Sequence, residues 1–250
     1  MKKIIILTVF LIAALSVSGQ RRGQVIKWLS LSAKGGVGNS VLLNTDVFNE
    51  KYADLNLLTP SLAFGGRFTF TYGDNIGFGL DLLSVSYGQE YSLVTPSDLT
   101  YDKKLALKSL DYTVFFRYTG NQGGYFEAGP VFTKLISAEE TNSIEGNFSP
   151  QADLMNIYEN NYTNLMIGFG MSALRTERLD LNLGLRVNYG LDDMVPNHSD
   201  YILNDGVFQP EIMSEKSTNP ISAKFIVELN YYFAFWGDAS CGRGRLMFFQ

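Results

Sequence analysis

The chain runs to 250 residues, 46% hydrophobic and 14% aromatic, with 24 glycines and a formal net charge of −5. Only 18% of its residues are charged, below the roughly 25% of soluble domains, and the acidic balance excludes a nucleic-acid partner, which needs a basic surface. A single cysteine, Cys241, excludes an intrachain disulfide and a cysteine-based metal site.

Residues 1–19 read MKKIIILTVFLIAALSVSG. Lys2 and Lys3 form a basic start, Ile4 to Leu15 an apolar core, and Ser16 to Gly19 a small-residue exit. That core is too short to cross a hydrocarbon layer of ~30 Å as a helix, so it reads as a cleaved export signal. The expected layout is a signal peptide over 1–19, a β-barrel over 20–237 and a periplasmic tail over 238–250.

Period-2 alternation then repeats along the mature chain, the mark of strands with one apolar face. Leu29 to Val37 is the first segment, with Leu29, Leu31, Ala33 and Val37 on its outward face. Ser61 to Tyr72 sets Leu62, Phe64, Phe68, Phe70 and Tyr72 against Ser61, Ala63, Arg67, Thr69 and Thr71. Ile76 to Leu82 follows the same rule, and Asp111 to Thr119 sets Tyr112, Val114, Phe116 and Tyr118 against polar partners. Tyr125 to Lys134 and Leu165 to Ala173 continue it. In Leu179 to Tyr189, four leucines, Val187 and Tyr189 alternate with Asp180, Asn182, Gly184, Arg186 and Asn188. Ile221 to Phe235 closes the set. Eight strands of roughly ten residues are predicted, the length a tilted strand needs to cross a bilayer.

The connections sort by length. Tight turns are expected at Gly73-Asp74-Asn75, Asn121-Gln122-Gly123-Gly124 and Thr176-Glu177-Arg178, and long polar loops at 39–58, 91–106, 137–162 and 192–219. Short turns on one side and long loops on the other match an up-and-down barrel in an outer membrane, with the long loops outside the cell.

Alternation alone fits a barrel with its apolar face inward, as in a lipocalin-like carrier, and one with that face toward lipid. The polar faces weigh for lipid. They mix small residues with charges of both signs: Lys34, Arg67, Asp81, Asp111, Arg117, Glu127, Asp180, Arg186, Lys224 and Glu228. Such faces suit a narrow interior in which charges must pair to be tolerated. Tyr72, Tyr118, Tyr125, Tyr189, Tyr231 and Trp236 are expected in interfacial girdles.

On this pattern the chain resembles the small eight-stranded outer-membrane β-barrels, the OmpX-like and PorT-like groups. The resemblance covers nearly all of the mature chain and is one of pattern, not of a diagnostic motif. The last strand, Val227 to Phe235, carries alternating Tyr231, Phe233 and Phe235, similar to the terminal signal read by the barrel-assembly machinery. The chain departs from the pattern by running on past that strand, from Gly237 to Gln250.

Three constellations invite chemistry and fall short of it. Lys34-Gly35-Gly36-Val37-Gly38-Asn39-Ser40 resembles a deviant phosphate-binding loop, yet Asn39 stands where the phosphate-reaching lysine belongs and no helical repeat follows. It reads as a glycine-rich rim or bulge of the first strand. His198 beside Ser199 and Asp200 is no triad, because triads are assembled in space. Asp192, Asp193, Asp200 and Asp205 lack the spacing of a calcium loop. Tyr158, Asn160, Asn161 and Tyr162 offer an adhesive surface on the third long loop.

The sequence therefore predicts an all-β, antiparallel, eight-stranded transmembrane barrel in the bacterial outer membrane. It is expected to work without catalysis or a cofactor, through a structural or binding role of its loops. The expected partners are outer-membrane lipid, the assembly machinery and another envelope protein. A narrow pore, a rim-site enzyme and a soluble carrier are the alternatives.

Overall fold

The structure, a computed structural model, describes residues 25–45, 53–56, 58–72, 75–94, 100–144, 147–148, 152–195, 216–237 and 245–248. Eight long antiparallel strands form one ring: β1 Val25–Leu43, β2 Thr59–Tyr72, β3 Ile76–Val94, β4 Thr100–Thr119, β5 Gly124–Ile144, β6 Asn161–Arg175, β7 Leu179–Gly190 and β8 Asn219–Gly237. Each pairs with its sequence neighbour, and β1 closes the ring by pairing with β8, from Val25 opposite Gly237 to Leu43 opposite Asn219. Closure removes every edge from the wall, which a strand fold in hydrocarbon requires. The export signal lies outside the described residues.

The strands run from 12 to 21 residues, so the expectation of about ten is corrected. Most of the excess is at the loop end, where it is greatest in β3, β4 and β5. There the second long loop shrinks to 95–99, and the third gives up its first residues to β5. Short segments extend the wall sideways: Ala53–Asn56 pairs with β3, while Asn147–Phe148 and Ala152–Asp153 pair with β5.

The opposite end is held by tight turns. In the turn from β4 to β5 the amide of Gly120 donates to the Gly124 carbonyl at 2.8 Å, and Gly123 takes a left-handed φ of 89°, a conformation that glycine adopts without steric cost. The C-terminal tail does not stand clear of the barrel. Arg245–Phe248 pairs antiparallel with Ala234–Gly237 of β8, beyond the point where β7 begins its own pairing at Tyr231.

Alternation places one side of each strand in the lumen. Around the middle of the wall the outward side carries Leu31, Val37, Leu62, Phe64, Phe68, Phe78, Leu80, Leu82, Tyr112, Val114, Phe116, Phe126, Phe132, Ile167, Phe169, Leu185, Val187, Phe225, Val227 and Leu229, all exposed. On β4 this belt spans Leu110 to Tyr118, a height on the order of 20 Å for a strand rising ~3.3 Å per residue with the usual tilt. A continuous apolar belt of that height is the surface a hydrocarbon layer stabilises and water does not. The apolar face therefore points outward, and the inward alternative of a lipocalin-like carrier does not describe this barrel.

Candidate functional site

The lumen at the height of the belt is packed with charge. All ten charged residues named from the sequence are buried, between 1% and 8% exposed. Seven of them touch: Lys34, Arg67, Arg117 and Arg186 against Asp81, Glu127 and Glu228. Arg67 chelates Asp81 through two nitrogens and also holds Glu127 at 2.8 Å and Glu228 at 2.9 Å. Arg117 bridges Glu127 and Glu228, both at 2.9 Å, and Arg186 bridges Asp81 at 2.8 Å and Glu127 at 2.6 Å. Lys34 reaches Asp81 at 3.1 Å and Glu228 at 3.3 Å. The planar guanidinium, with its fork of donors, suits this shared bridging better than a point charge does.

The seven come from seven strands, every one but β6. On β6 the position at this height is Gly168, where a Cβ would lie 2.8 Å from the Glu127 side chain. β6 gives up its own side chain to make room for the carboxylate. Phe115 lies on the polar face and serves as a platform, with Arg67 stacked 3.7 Å above its ring centroid; the tyrosine ring of Tyr125 holds Arg117 at 4.2 Å. Asn182 donates to Glu228 at 3.1 Å and is itself held by Ser172.

The remaining three charges stand apart. Asp111 accepts from the hydroxyls of Ser109 and Thr133, each at 3.0 Å. Lys224 donates to Ser222 at 2.7 Å, and with Asp111 and Asn188 it lines a cavity of about 20 Å³, enough for one water. The backbone carbonyl of Asp180 accepts from Asn230. Among the described residues the buried ionisable groups include six cations and six carboxylates, once Lys103 and Glu140, 3.3 Å apart near the loop end, join the ten. Balance of this kind is what makes so much buried charge tolerable.

Above the cluster the lumen changes character. Leu83, Val85, Tyr87, Leu105, Leu107, Leu135 and Ala138 point inward, and the loop residues Leu154, Tyr158, Met194 and Val195 pack onto them with Tyr162. The backbone ties these loops down: Leu154 donates to the Ala138 carbonyl, Glu159 to that of Met194, and Met194 to that of Thr218. Outside, the same stretch of wall is polar, with Lys104 paired to Glu90 at 2.7 Å and Ser92 bonded to Asp102 at 2.7 Å. Below the change β4 is apolar outward and polar inward. Above it the strand is apolar inward and polar outward, as in a soluble sheet. The upper ends of β3, β4 and β5 thus form a sheet that projects beyond the apolar belt and carries its own small core.

Several sequence expectations are corrected here. Tyr125 is 8% exposed and belongs to the lumen, not to an outer girdle, whereas Tyr72, Tyr118, Tyr189 and Tyr231 are exposed on the wall. Tyr158 and Tyr162 are buried in the loop core, so the proposed adhesive patch keeps only Asn160 and Asn161 at the surface. The Lys34–Ser40 stretch is neither rim nor bulge: it is mid-strand, paired without a break to both neighbours. Gly38 there abuts the carbonyl of Ala223, and Lys34 serves the ionic cluster.

Asp192 accepts from the Thr163 amide at 2.7 Å, and Asp193 from the amides of Val195 and Thr218 at 3.0 and 2.9 Å. Both hold the loop, and among the described residues no group of acidic, histidine or cysteine side chains is placed to hold a metal. His198, Asp200 and Asp205 lie outside the described residues, as does the side chain of Phe235. Tyr231 points outward and Phe233 is half-buried.

No protein-family model matches the chain, and no curated protein does either. Solved structures similar in fold include the outer membrane protein OprG from Pseudomonas aeruginosa, at 10% identity and a TM-score of 0.42 over 84% of this chain and 97% of that one. Ail, the attachment invasion locus protein of Yersinia pestis, is 9% identical with a TM-score of 0.39, over 82% of this chain and 100% of its own. Neisserial surface protein A is 11% identical with a TM-score of 0.34, over 84% and 99%. The ring of strands, the apolar belt and the charged lumen make this chain an eight-stranded transmembrane β-barrel of the bacterial outer-membrane kind.

Proposed function

We propose that this barrel is a non-enzymatic, non-conducting protein that presents its projecting sheet and docked loops as a binding surface outside the cell. One observation carries the reading: β3, β4 and β5 continue past the apolar belt as a sheet with a core of its own. A barrel that served only to span the membrane has no need of that structure. Loops placed on a rigid scaffold are a common way to present binding residues, and here the scaffold itself reaches out of the membrane.

The lumen supports the second half of the reading. Eight strands enclose a space just wide enough for side chains to fill, and here the ionic cluster and the loop core fill it. Reconstitution in planar bilayers should give no steady conductance; stable steps of current would restore the narrow-pore alternative. For binding, the full chain in lipid nanodiscs is applied to arrays of purified extracellular-matrix proteins and glycans. A second chain, in which a short turn replaces residues 88–104, serves as the comparison. Binding by the first and not the second supports the platform; equal binding by both, or by neither, overturns it.

A further inference from the structure

Where β4 and β5 leave the apolar belt, two lysines face outward. Lys108 on β4 and Lys134 on β5 are both exposed. Lys134 is opposite Leu110 and Lys108 is opposite Ser137, so the two side chains share one face of adjacent strands. Between them the register shifts, and the extra residue, Ile136, stands 56% exposed. Leu110 is the top of the belt on β4, and Tyr112 and Phe132, just below it, are both exposed.

What sets this pair apart is the lack of a partner. Neither ammonium group has a hydrogen bond or ion pair among the described residues. The neighbouring lysines of β4 are satisfied, Lys104 by Glu90 at 2.7 Å and Lys103 by Glu140 at 3.3 Å. In a chain with 25 acidic residues against 20 basic ones, two unpaired cations beside an exposed isoleucine make a site that is half charged and half apolar. Their height puts the ammonium groups at the level of lipid headgroups, with apolar stems against the wall below.

We propose that Lys108, Lys134 and Ile136 form an outer-wall site for an anionic membrane lipid of the leaflet on the loop side. The two ammonium groups take the phosphate, and Ile136 and Phe132 take the first carbons of the acyl chains. The site depends on the barrel lying in a membrane and is independent of what the projecting sheet binds.

The test is native mass spectrometry of the full chain released from detergent, titrated with phosphatidic acid or with phosphatidylcholine. The first phosphatidic acid should bind more tightly than phosphatidylcholine by about fivefold for each lysine engaged. The K108Q/K134Q double variant should lose that preference, while K104Q should keep it. Heat-dependent migration in electrophoresis verifies that each variant is a closed barrel, so loss of preference is not loss of fold. Equal affinity for the two lipids in the unaltered chain, or a preference retained by the double variant, overturns the proposal. Displacement of the lipid by inorganic phosphate at equal concentration would make this a free-anion site and overturns it too. Failure of the chain to insert into phosphatidylcholine vesicles would instead count against the membrane barrel itself.

Discussion

Leu107 and Tyr112 lie five positions apart on β4 and face opposite sides of the wall, Leu107 completely buried in the loop core and Tyr112 47% exposed on the belt. The apolar face of one continuous strand thus changes sides between them. Hydrocarbon surrounds the lower half and water the upper, and each solvent selects which side is apolar. The same change occurs on β3, between outward Leu82 and inward Leu83, Val85 and Tyr87.

The level of this change can be measured with arginine. Val114→Arg, in the belt, should destabilise the inserted barrel by about 2–4 kcal/mol, whereas Ala106→Arg, outward on the projecting part of the same strand, should cost no more than about 1 kcal/mol. Urea unfolding from lipid vesicles reads both. Equal costs would mean that the membrane boundary does not lie between these positions.

Glu228 meets Lys34, Arg67 and Arg117. Replacing it with glutamine leaves the four cations of the cluster sharing two carboxylates, Asp81 and Glu127, so Glu228→Gln should destabilise by about 3–5 kcal/mol. Asp102→Asn, on the exposed face of the projection, should change stability by less than about 0.5 kcal/mol. A Glu228→Gln barrel that unfolds at the unaltered urea midpoint would show that the cluster does not hold the lumen together.

The glycines offer a contrast in which no charged group is removed. A Cβ at Gly168 meets a Glu127 side chain that Arg67, Arg117 and Arg186 pin in place, while a Cβ at Gly35 meets nothing within 4 Å. Gly168→Ala should cost about 1–3 kcal/mol by overpacking, and Gly35→Ala should be neutral or slightly stabilising. The reverse order would mean that β6 does not face the cluster at Gly168.

The loop core should behave as a unit separate from the membrane barrel. Tyr158→Ala or Met194→Ala removes a buried side chain from it. Either variant should speed cleavage of residues 152–160 by added proteinase K several-fold, with heat-dependent migration unchanged, because local opening draws on local stability. Protection equal to that of the unaltered chain would show that the loops do not depend on this core.

Much of the fold was legible because period-2 alternation is a local signal. Leu179 to Tyr189 states its two faces without reference to any other strand, and the eight segments read in this way match the eight strands of the ring. The projection is not legible at fixed phase, although its trace is present: apolar residues on β4 fall at 105 and 107 and then at 110, 112 and 114. A shift from odd to even positions within one strand is the mark of a change of solvent, and a single-strand pattern of fixed phase overlooks it.

For the lumen, alternation placed the charged side chains on one face of each strand but not their partners. Arg186 touches Asp81, 105 residues earlier, only because the ring brings β7 and β3 across the lumen from each other. The girdle expectation for Tyr125 fails on phase instead. It stands at a strand end, where an outward tyrosine is common, yet its inward phase matches Glu127 and Val131, and the arginine that it covers, Arg117, stands on the adjoining strand β4.

The ionic cluster has a consequence for the order of assembly. Glu228 is on the last strand of the ring and Lys34 on the first, and Arg67, Arg117 and Arg186 each join carboxylates of strands that do not neighbour one another in the wall. A sheet of six or seven strands, still open at the seam, would hold guanidinium and carboxylate groups stripped of water without their counter-charges. Partially closed sheets are therefore penalised and the complete ring alone is neutralised. Zippering strand by strand in the hydrocarbon is unfavourable for this sequence, and sealing of the seam should coincide with the loss of water from the lumen, as a single cooperative event.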